Sequence, residues 1–536
     1  MNRVPGKARL CGALALILVA AGPLRCGTPI ISEFMASNNT TLTDQDGDYA
    51  DWLELYNPGP SGVNLGGWFL TNKADAPAKW QIPSVTLPAG GYLVIFCSQK
   101  NYIDPGAPLA TNFNLSSGGG YVGLVEADGK TVASSYTFPV QYPDISYGVS
   151  QPASAAEAPQ TGYLEVATPG AANGGYANVL LGDTVTISAP AGFFSSAASV
   201  TLGGATGAEH IRYVLAGPTS QGDQVAPPSA SSQLYTGPIT VSSTALLSAA
   251  VFSADDTQRG LPSTAMYVQL DAASANRVDT FTSNLPILVY DDNGFGLLPN
   301  NHIFYPAWFG AFSPGSDGSA TLVQSPDFFT SDTMKLHGFS SASWPKQSYE
   351  VSLSDDFGRA LPMPLLGLAA DKSWDNISLW NIDRTYIHNP FVYSLFRSMG
   401  HWAPQARPAE MFIHPSGGVL DYTSYSGITN VTERLKVEAN RVNIASIGPG
   451  DVAPPAVTGG YLLRIDHPKS RSGTYKYYTW TTSDGTTLFV DTPKLDVLVK
   501  PQIDYITGYI QQMQDAMAED KASGYATRNY LNYLDR

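Results

Sequence analysis

K-L-H-G-F-S-S-A-S-W-P-K-Q-S-Y-E-V-S-L, from Lys335 to Leu353, decides how the second half of the chain folds. Tyr349, Val351 and Leu353 alternate with Ser348, Glu350 and Ser352, the period-2 mark of a strand with one buried face. A small, polar Gly/Ser turn precedes that run, so the whole stretch predicts strand, turn, strand. Lys346 stands just before the second strand. A cation projecting over a backbone-lined hollow is a workable way to hold phosphates.

Further motifs extend outward from this stretch. They are L-L-G-L-A-A-D-K-S-W (Leu365 to Trp374), I-D-R-T-Y-I-H-N (Ile382 to Asn389) and the run from Phe391 to Gly400. Y-S-G-I-T-N-V-T-E-R-L (Tyr425 to Leu435), N-R-V-N-I (Asn440 to Ile444) and G-G-Y-L-L-R-I-D (Gly459 to Asp466) follow. Together with H-G-F-S-S and P-K-Q-S-Y, this ordered set resembles the spore-coat protein H (CotH) kinase-like family. The resemblance implies an atypical protein-kinase-like α+β unit over 280–536 that uses ATP and magnesium. It also implies phosphate transfer to secreted or envelope proteins. Lys346 matches the first lysine of the family's Pro-Lys-Lys-Ser-Tyr and is a candidate phosphate clamp. Glu433, in T-E-R-L where the family often reads Thr-Glu-Lys, and Asp466, closing the strand Tyr461 to Ile465, are the other candidate cofactor-binding residues.

The sequence departs from the family at three cations: His337, Gln347 and His388 replace residues that are usually arginine or lysine. Each change weakens phosphate binding, because arginine and lysine stay charged, whereas an imidazole is mostly neutral at pH 7 and the Gln347 amide carries no charge. The family's acidic metal-binding motifs, one reading Trp-Asp-Phe-Asp, are not found after the helix that follows Pro501. The expectation is therefore a kinase-like unit lacking its C-terminal part. The alternative is a non-catalytic envelope or matrix protein that binds through its β-modules, including to carbohydrate.

Two helices are expected in this unit. One opens at Asn389-Pro390 and ends at Gly400, with Val392, Leu395, Phe396 and Met399 on one face. The other follows Pro501, with Ile503, Ile506, Ile510, Met513 and Met517 in a stripe. Both stripes read as core-packing faces.

Before this unit the chain is turn-rich and β-like. From about Pro29 to Val149, short alternating runs such as Asp51 to Tyr56 are broken by turn signals such as Asn57-Pro58-Gly59-Pro60. I-S-E-F-M-A-S-N (Ile31 to Asn38), D-W-L-E-L-Y-N-P (Asp51 to Pro58) and L-G-G-W-F-L-T (Leu65 to Thr71) resemble the lamin-tail domain. That implies an immunoglobulin-like sandwich used for binding. Asp44, Asp46 and Asp48, beside Gly47, suit a hard cation such as calcium or a plain solvated loop, although the EF-hand spacing fails at Leu55. Residues 150–178, rich in Ala, Pro, Gly and Gln, read as an extended linker. Residues 180–271 give short strands again. They resemble the small β-sandwich at the ends of chitobiase-like enzymes, with Phe193, Phe194 and Tyr213 either stacking on sugars or filling the core. The predicted fold class is thus multidomain: two all-β immunoglobulin-like sandwiches followed by the α+β kinase-like unit.

Composition bounds the function. The 536 residues carry a net charge of -15, and only 14% are Asp, Glu, Lys or Arg. Such a chain is not expected to bind nucleic acid, which needs basic patches. Residues 1–25 read as an export signal: Arg3, Lys7 and Arg9, then an apolar core from Leu10 to Ala21. No stretch predicts a membrane span, and a secreted or cell-envelope location follows. Cys26 is a possible lipidation site, although Arg25 before it is a poor match. Cys26 and Cys97 are candidates for a disulfide, with Cys97 as a buried small hydrophobe the other reading. Gly-x-Ser-x-Gly and His-Glu-x-x-His are both absent from the sequence.

Overall fold

The structure, a computed structural model, describes residues 28–38, 41–150, 159–164, 166–174, 180–217, 227–292, 304–338, 341–355, 360–380, 382–415, 417–465, 477–495 and 498–533. The expected signal at 1–25, Cys26 and Asp466 lie outside the described residues. The chain forms two compact units, 1–179 and 180–536. It is mostly β, with two α-helices among the described residues.

In the first unit the run Asp51–Tyr56 forms a strand, as its alternation predicts. It lies in a six-stranded sheet with the order Thr161–Tyr163, Tyr147–Val149, Ile30–Met35, Asp51–Tyr56, Tyr92–Cys97, Leu109–Ala110. A four-stranded sheet runs Val132–Phe138, Gly120–Val125, Phe69–Thr71, Trp80–Gln81. Phe34, Leu53, Leu55 and Ile95 of the first sheet and Leu70, Trp80, Val122 and Leu124 of the second share one buried core. Cys97 belongs to this core as a free thiol, and burial pushes its pKa up.

Within the stretch 150–178 expected as a linker, the described residues 159–164 and 166–174 are docked on the first unit. Thr161–Tyr163 completes the edge of the six-stranded sheet by pairing with Tyr147–Val149. Residues 166–174 are then fastened by side chains of the same sheet. Backbone approach there is close enough to demand glycine: a Cβ on Gly148 would sit 2.2 Å from the Ser32 carbonyl oxygen.

The second unit is built on a closed barrel of seven strands. Around it run Ile287–Asp291, Tyr305–Phe312, Phe328–His337, Ser348–Leu353, Ser373–Ile377, Tyr425–Glu433 and Ala406–His414, the last closing on the first by parallel pairing. Closure removes the exposed sheet edges. The strand-turn-strand expected over Lys335 to Leu353 is present, with Lys335 opposite Glu350 and His337 opposite Ser348. Tyr349, Val351 and Leu353 point into the barrel core with Leu288, Met334, Trp374 and Met411. A three-stranded sheet, Leu462–Ile465, Thr487–Thr492 and Thr479–Thr481, stands beside the barrel with helices α1 (His388–Ser398) and α2 (Lys500–Ala522).

The segment 180–271, expected as a second sandwich, packs on the barrel. Its five-stranded sheet contains Gly192–Phe194, Ser263–Gln269, Ala245–Phe252, His210–Ala216 and Gln233–Leu234. Leu246, Met266 and Val268 from this sheet share one core with Ile287, Val289, Trp308, Phe312 and Phe412 of the barrel. Phe193 packs on Phe312 and Phe329, at ring-centre distances of 5.1 and 4.7 Å. Tyr213 is buried in the sheet's other core, and Phe194 packs against it. All three rings expected as candidate sugar platforms are engaged in packing.

Candidate functional site

A cleft of about 1000 Å³ opens in the second unit. Its walls are the outer face of the barrel (His337, Asp375, Thr432), the Asn389 and Tyr393 side of α1, and the three-stranded sheet (Leu462, Arg464, Asp491). Residues 433–437, which leave the barrel at the end of a strand, line it as well. This volume is in the range of small-molecule sites.

An ion ladder runs along the barrel wall. Strand register places Lys335 opposite Glu350, Glu350 opposite Asp375, and Asp375 opposite Thr432. The register thus sets Lys335 against Glu350 but also two acids, Glu350 and Asp375, against each other, a like-charge pair that needs nearby cations to offset it. Lys335 Nζ lies 3.1 Å from Glu350 Oε2. Arg434 pairs with Glu350, and its Nε is 3.5 Å from Asp375 Oδ1. His337 Nε2 stands 3.9 Å from Asp375 Oδ2. Desolvation raises the Asp375 pKa, against the lowering effect of His337 and Arg434. Burial and the nearby Asp375 charge also raise the pKa of Tyr393 on α1.

Glu433 lies beyond this ladder and is buried. Its carboxylate is 3.3 Å from Arg441 Nη1 and accepts a hydrogen bond from the Gln405 amide at 2.9 Å. Arg441 is fully buried, reaches Asp371 at 3.1 Å and lies over the Trp374 ring at 5.7 Å. Lys436 also pairs with Asp371, at 2.8 Å. Glu433 thus lines the cleft while its charge is met by Arg441.

Lys346 is not among the residues that line the cleft. Its ammonium donates to the Ile428 carbonyl and sits 4.9 Å from the Tyr386 ring centre. Gly427, at φ +78, leaves room for it: a Cβ there would stand 3.1 Å from Nζ. Of the expected site residues, the cleft contains Glu433; Lys346 lies outside it and Asp466 outside the described residues. Sequence reading missed Lys335, Glu350, Asp375 and Arg434. The signal was there in part: the alternation that sends Tyr349 and Val351 inward sends Glu350 to the opposite face. Its strand neighbours, however, follow only from the barrel register.

Comparison with known families finds two matches. Residues 25–139 match the lamin tail domain, and residues 334–535 match the family described as CotH kinase protein. This is a CotH-like chain with an N-terminal lamin tail domain. The CotH match spans the ladder, the cleft walls and both helices. No curated protein matches the chain. No helix among the described residues is long and apolar enough to cross a membrane.

The residues present suit one half of a kinase reaction better than the other. Arg434 offers a cationic donor and His337 an imidazole at one wall, while Leu435, Val437, Ile447 and Leu462 offer apolar surface, a combination that could hold a nucleotide. The described lining residues do not fit the metal. Asp375 is met by Arg434 and His337, Glu433 by Arg441, and Asp491 by Arg464 at 3.5 Å. Among the described residues, the one group of three acidic or ligating side chains spaced for a single ion is Asp44, Asp46 and Asp48 in the first unit. There Lys100 Nζ already fills the centre, at 2.6, 2.7 and 2.6 Å from the three carboxylates.

Proposed function

We propose that this CotH-like chain binds ATP in the barrel-side cleft and acts, as the family does, in phosphate transfer to secreted or envelope proteins. The observation that carries this reading is the group Arg434, Asp375 and His337 on one wall of the cleft, with Glu350 and Lys335 paired next to it on the barrel face. Glu350 and Asp375 hold the Arg434 guanidinium in place. An entering phosphate competes for Arg434 and His337, so the donors are oriented before the ligand arrives. The apolar residues 435, 437 and 447 take the base. Lys346 braces the turn before the Ser348–Leu353 strand, and Glu433 holds Arg441 at the mouth of the barrel. The cleft's described carboxylates Asp375, Glu433 and Asp491 are each met by an arginine and offer no free ligand for magnesium.

A second reading rests on that same commitment: a nucleotide-binding or scaffold protein without transferase activity, whose β-modules engage a cell-surface or carbohydrate partner. Calorimetry on the full chain with ATP, with and without magnesium, separates the two when combined with a phosphorylation assay. The proposed reading expects ATP binding that falls at least about tenfold in Arg434→Gln, because a charge-assisted pair contributes about 1.5–3 kcal/mol. Phosphate should then appear on added protein. ATP binding without transfer leaves the second reading. No heat from a folded sample overturns the nucleotide site.

A further inference from the structure

Glu33 and Glu54 are directly opposite each other on neighbouring strands, and both side chains are fully buried. Two carboxylates so placed need compensation, yet among the described residues no Lys, Arg or His forms an ion pair with either. Their partners are neutral donors, from the arm at 166–174 and from Ser32 on the strand itself. The Thr168 amide reaches both oxygens of Glu33 at 3.1 Å, and the Thr168 hydroxyl donates to Oε2 at 3.0 Å. The Gly170 amide donates to Glu54 Oε2 at 2.6 Å, and Ser32 Oγ to Glu54 Oε1 at 2.6 Å. Asn173 locks the end of the arm by donating to the carbonyls of Ser32 and Val149, at 2.9 and 2.8 Å.

We propose that Glu33 and Glu54 are a proton-controlled latch for this arm, the stretch of chain that leads into the second unit. With at least one of the pair protonated, the buried site carries at most one negative charge and the donors of the arm satisfy it. When the last proton leaves to solvent, two like charges face each other in a dry site and the docked arm loses stability. Undocking returns both carboxylates to water.

The electrostatics agree in sign. Desolvation raises both groups, Glu54 to about 7, and the Glu33 charge adds to the Glu54 shift. Folded pKa values above the ordinary value mean that the docked state binds more protons than the released one. Docking is therefore strongest below the ordinary glutamate range and weakens as pH rises through the folded value near 7. Tyr92, on the next strand, is the other titratable group that feels Glu54, and its own pKa is pushed further up by burial. Tyr92 stays neutral across that window and does not substitute for the pair.

Hydrogen exchange on the full chain tests the latch, with protection factors corrected for the intrinsic rate. Between about pH 5.5 and 8.5 the Thr168 and Gly170 amides should lose roughly tenfold or more in protection, since release of one proton gives at most about tenfold per pH unit. Amides of Val122 and Leu124 in the core should hold. Glu54→Gln keeps the shape and cannot ionise, so its arm should stay protected at every pH. Glu33→Gln serves the same purpose if the first variant does not fold. Flat protection in the unmodified chain overturns the proposal. So does a slope that survives in both variants, or loss of core protection in parallel with the arm.

Discussion

Arg434 is the side chain on which the cleft wall turns, because it meets both Glu350 and Asp375. Glu350 is nearly buried, so removing the guanidinium leaves one carboxylate with Lys335 alone and the other with a distant imidazole. Arg434→Ala should cost about 1–3 kcal/mol of stability in denaturant unfolding, less than a fully buried pair because Arg434 is partly exposed. Lys346→Ala should leave nucleotide affinity within about threefold, a change of some 0.6 kcal/mol, since that ammonium serves a carbonyl and a ring outside the cleft. In the first unit Lys100 takes the place of a cation among Asp44, Asp46 and Asp48, with Tyr102 donating to Asp46 at 2.8 Å. Lys100→Ala uncovers three carboxylates. The variant should melt lower than the parent, and millimolar calcium should raise its melting temperature while leaving the parent's unchanged. A parent that responds to calcium as strongly would show that the lysine does not occupy the site.

Helix α1 inverts the expected arrangement. The sequence places Val392, Leu395, Phe396 and Met399 on a stripe that reads as a core face, yet they are 57%, 51%, 45% and 63% exposed. The helix presents Asn389 and Tyr393 to the cleft, and Arg397 ties its end to the Ala403 carbonyl at 3.2 Å. In α2 the buried positions are Gln502, Ile506, Ala516 and Asp520, and Met517 is 49% exposed. Periodicity correctly located both helices, to within two residues at the first. It could not say which side is covered, because that depends on what other elements bring to each face. If α1 is as exposed in solution as it stands here, Leu395→Ala should change stability by no more than about 0.5 kcal/mol, whereas a core leucine would cost about 2–5. Thermal melts of the full chain decide between the two values.

At the scale of the whole molecule, the boundary expected between 271 and 280 does not separate independent parts. Leu246 and Met266 lie on one side of it and Ile287 and Phe312 on the other, in a single core. The backbone crosses it as well, since the Leu420 amide donates to the Gln269 carbonyl at 2.8 Å. A protein comprising residues 280–536 should therefore expose the barrel's apolar face, bind a hydrophobic dye and aggregate. One comprising 180–536 should stay soluble and unfold in one transition. Equal solubility of the two would mean that the shared core adds little. Met266→Ala, fully buried in it, should cost about 2–5 kcal/mol in the full chain.

The sequence by itself determined the order of the parts, the β-rich character, the strand-turn-strand over Lys335 to Leu353, both helices and the CotH-like and lamin-tail resemblances. Each of these is carried by local pattern: alternation, turn residues, helix caps and ordered motifs. Only the tertiary structure decided that the strands close into a barrel, that Lys335, Glu350, Asp375 and Arg434 meet on one wall, and that Glu33 and Glu54 grip the arm at 166–174. Those are pairings between residues from 11 to 135 positions apart. They are set by strand register and by the need to bury surface, and neither is written in any single stretch of the chain.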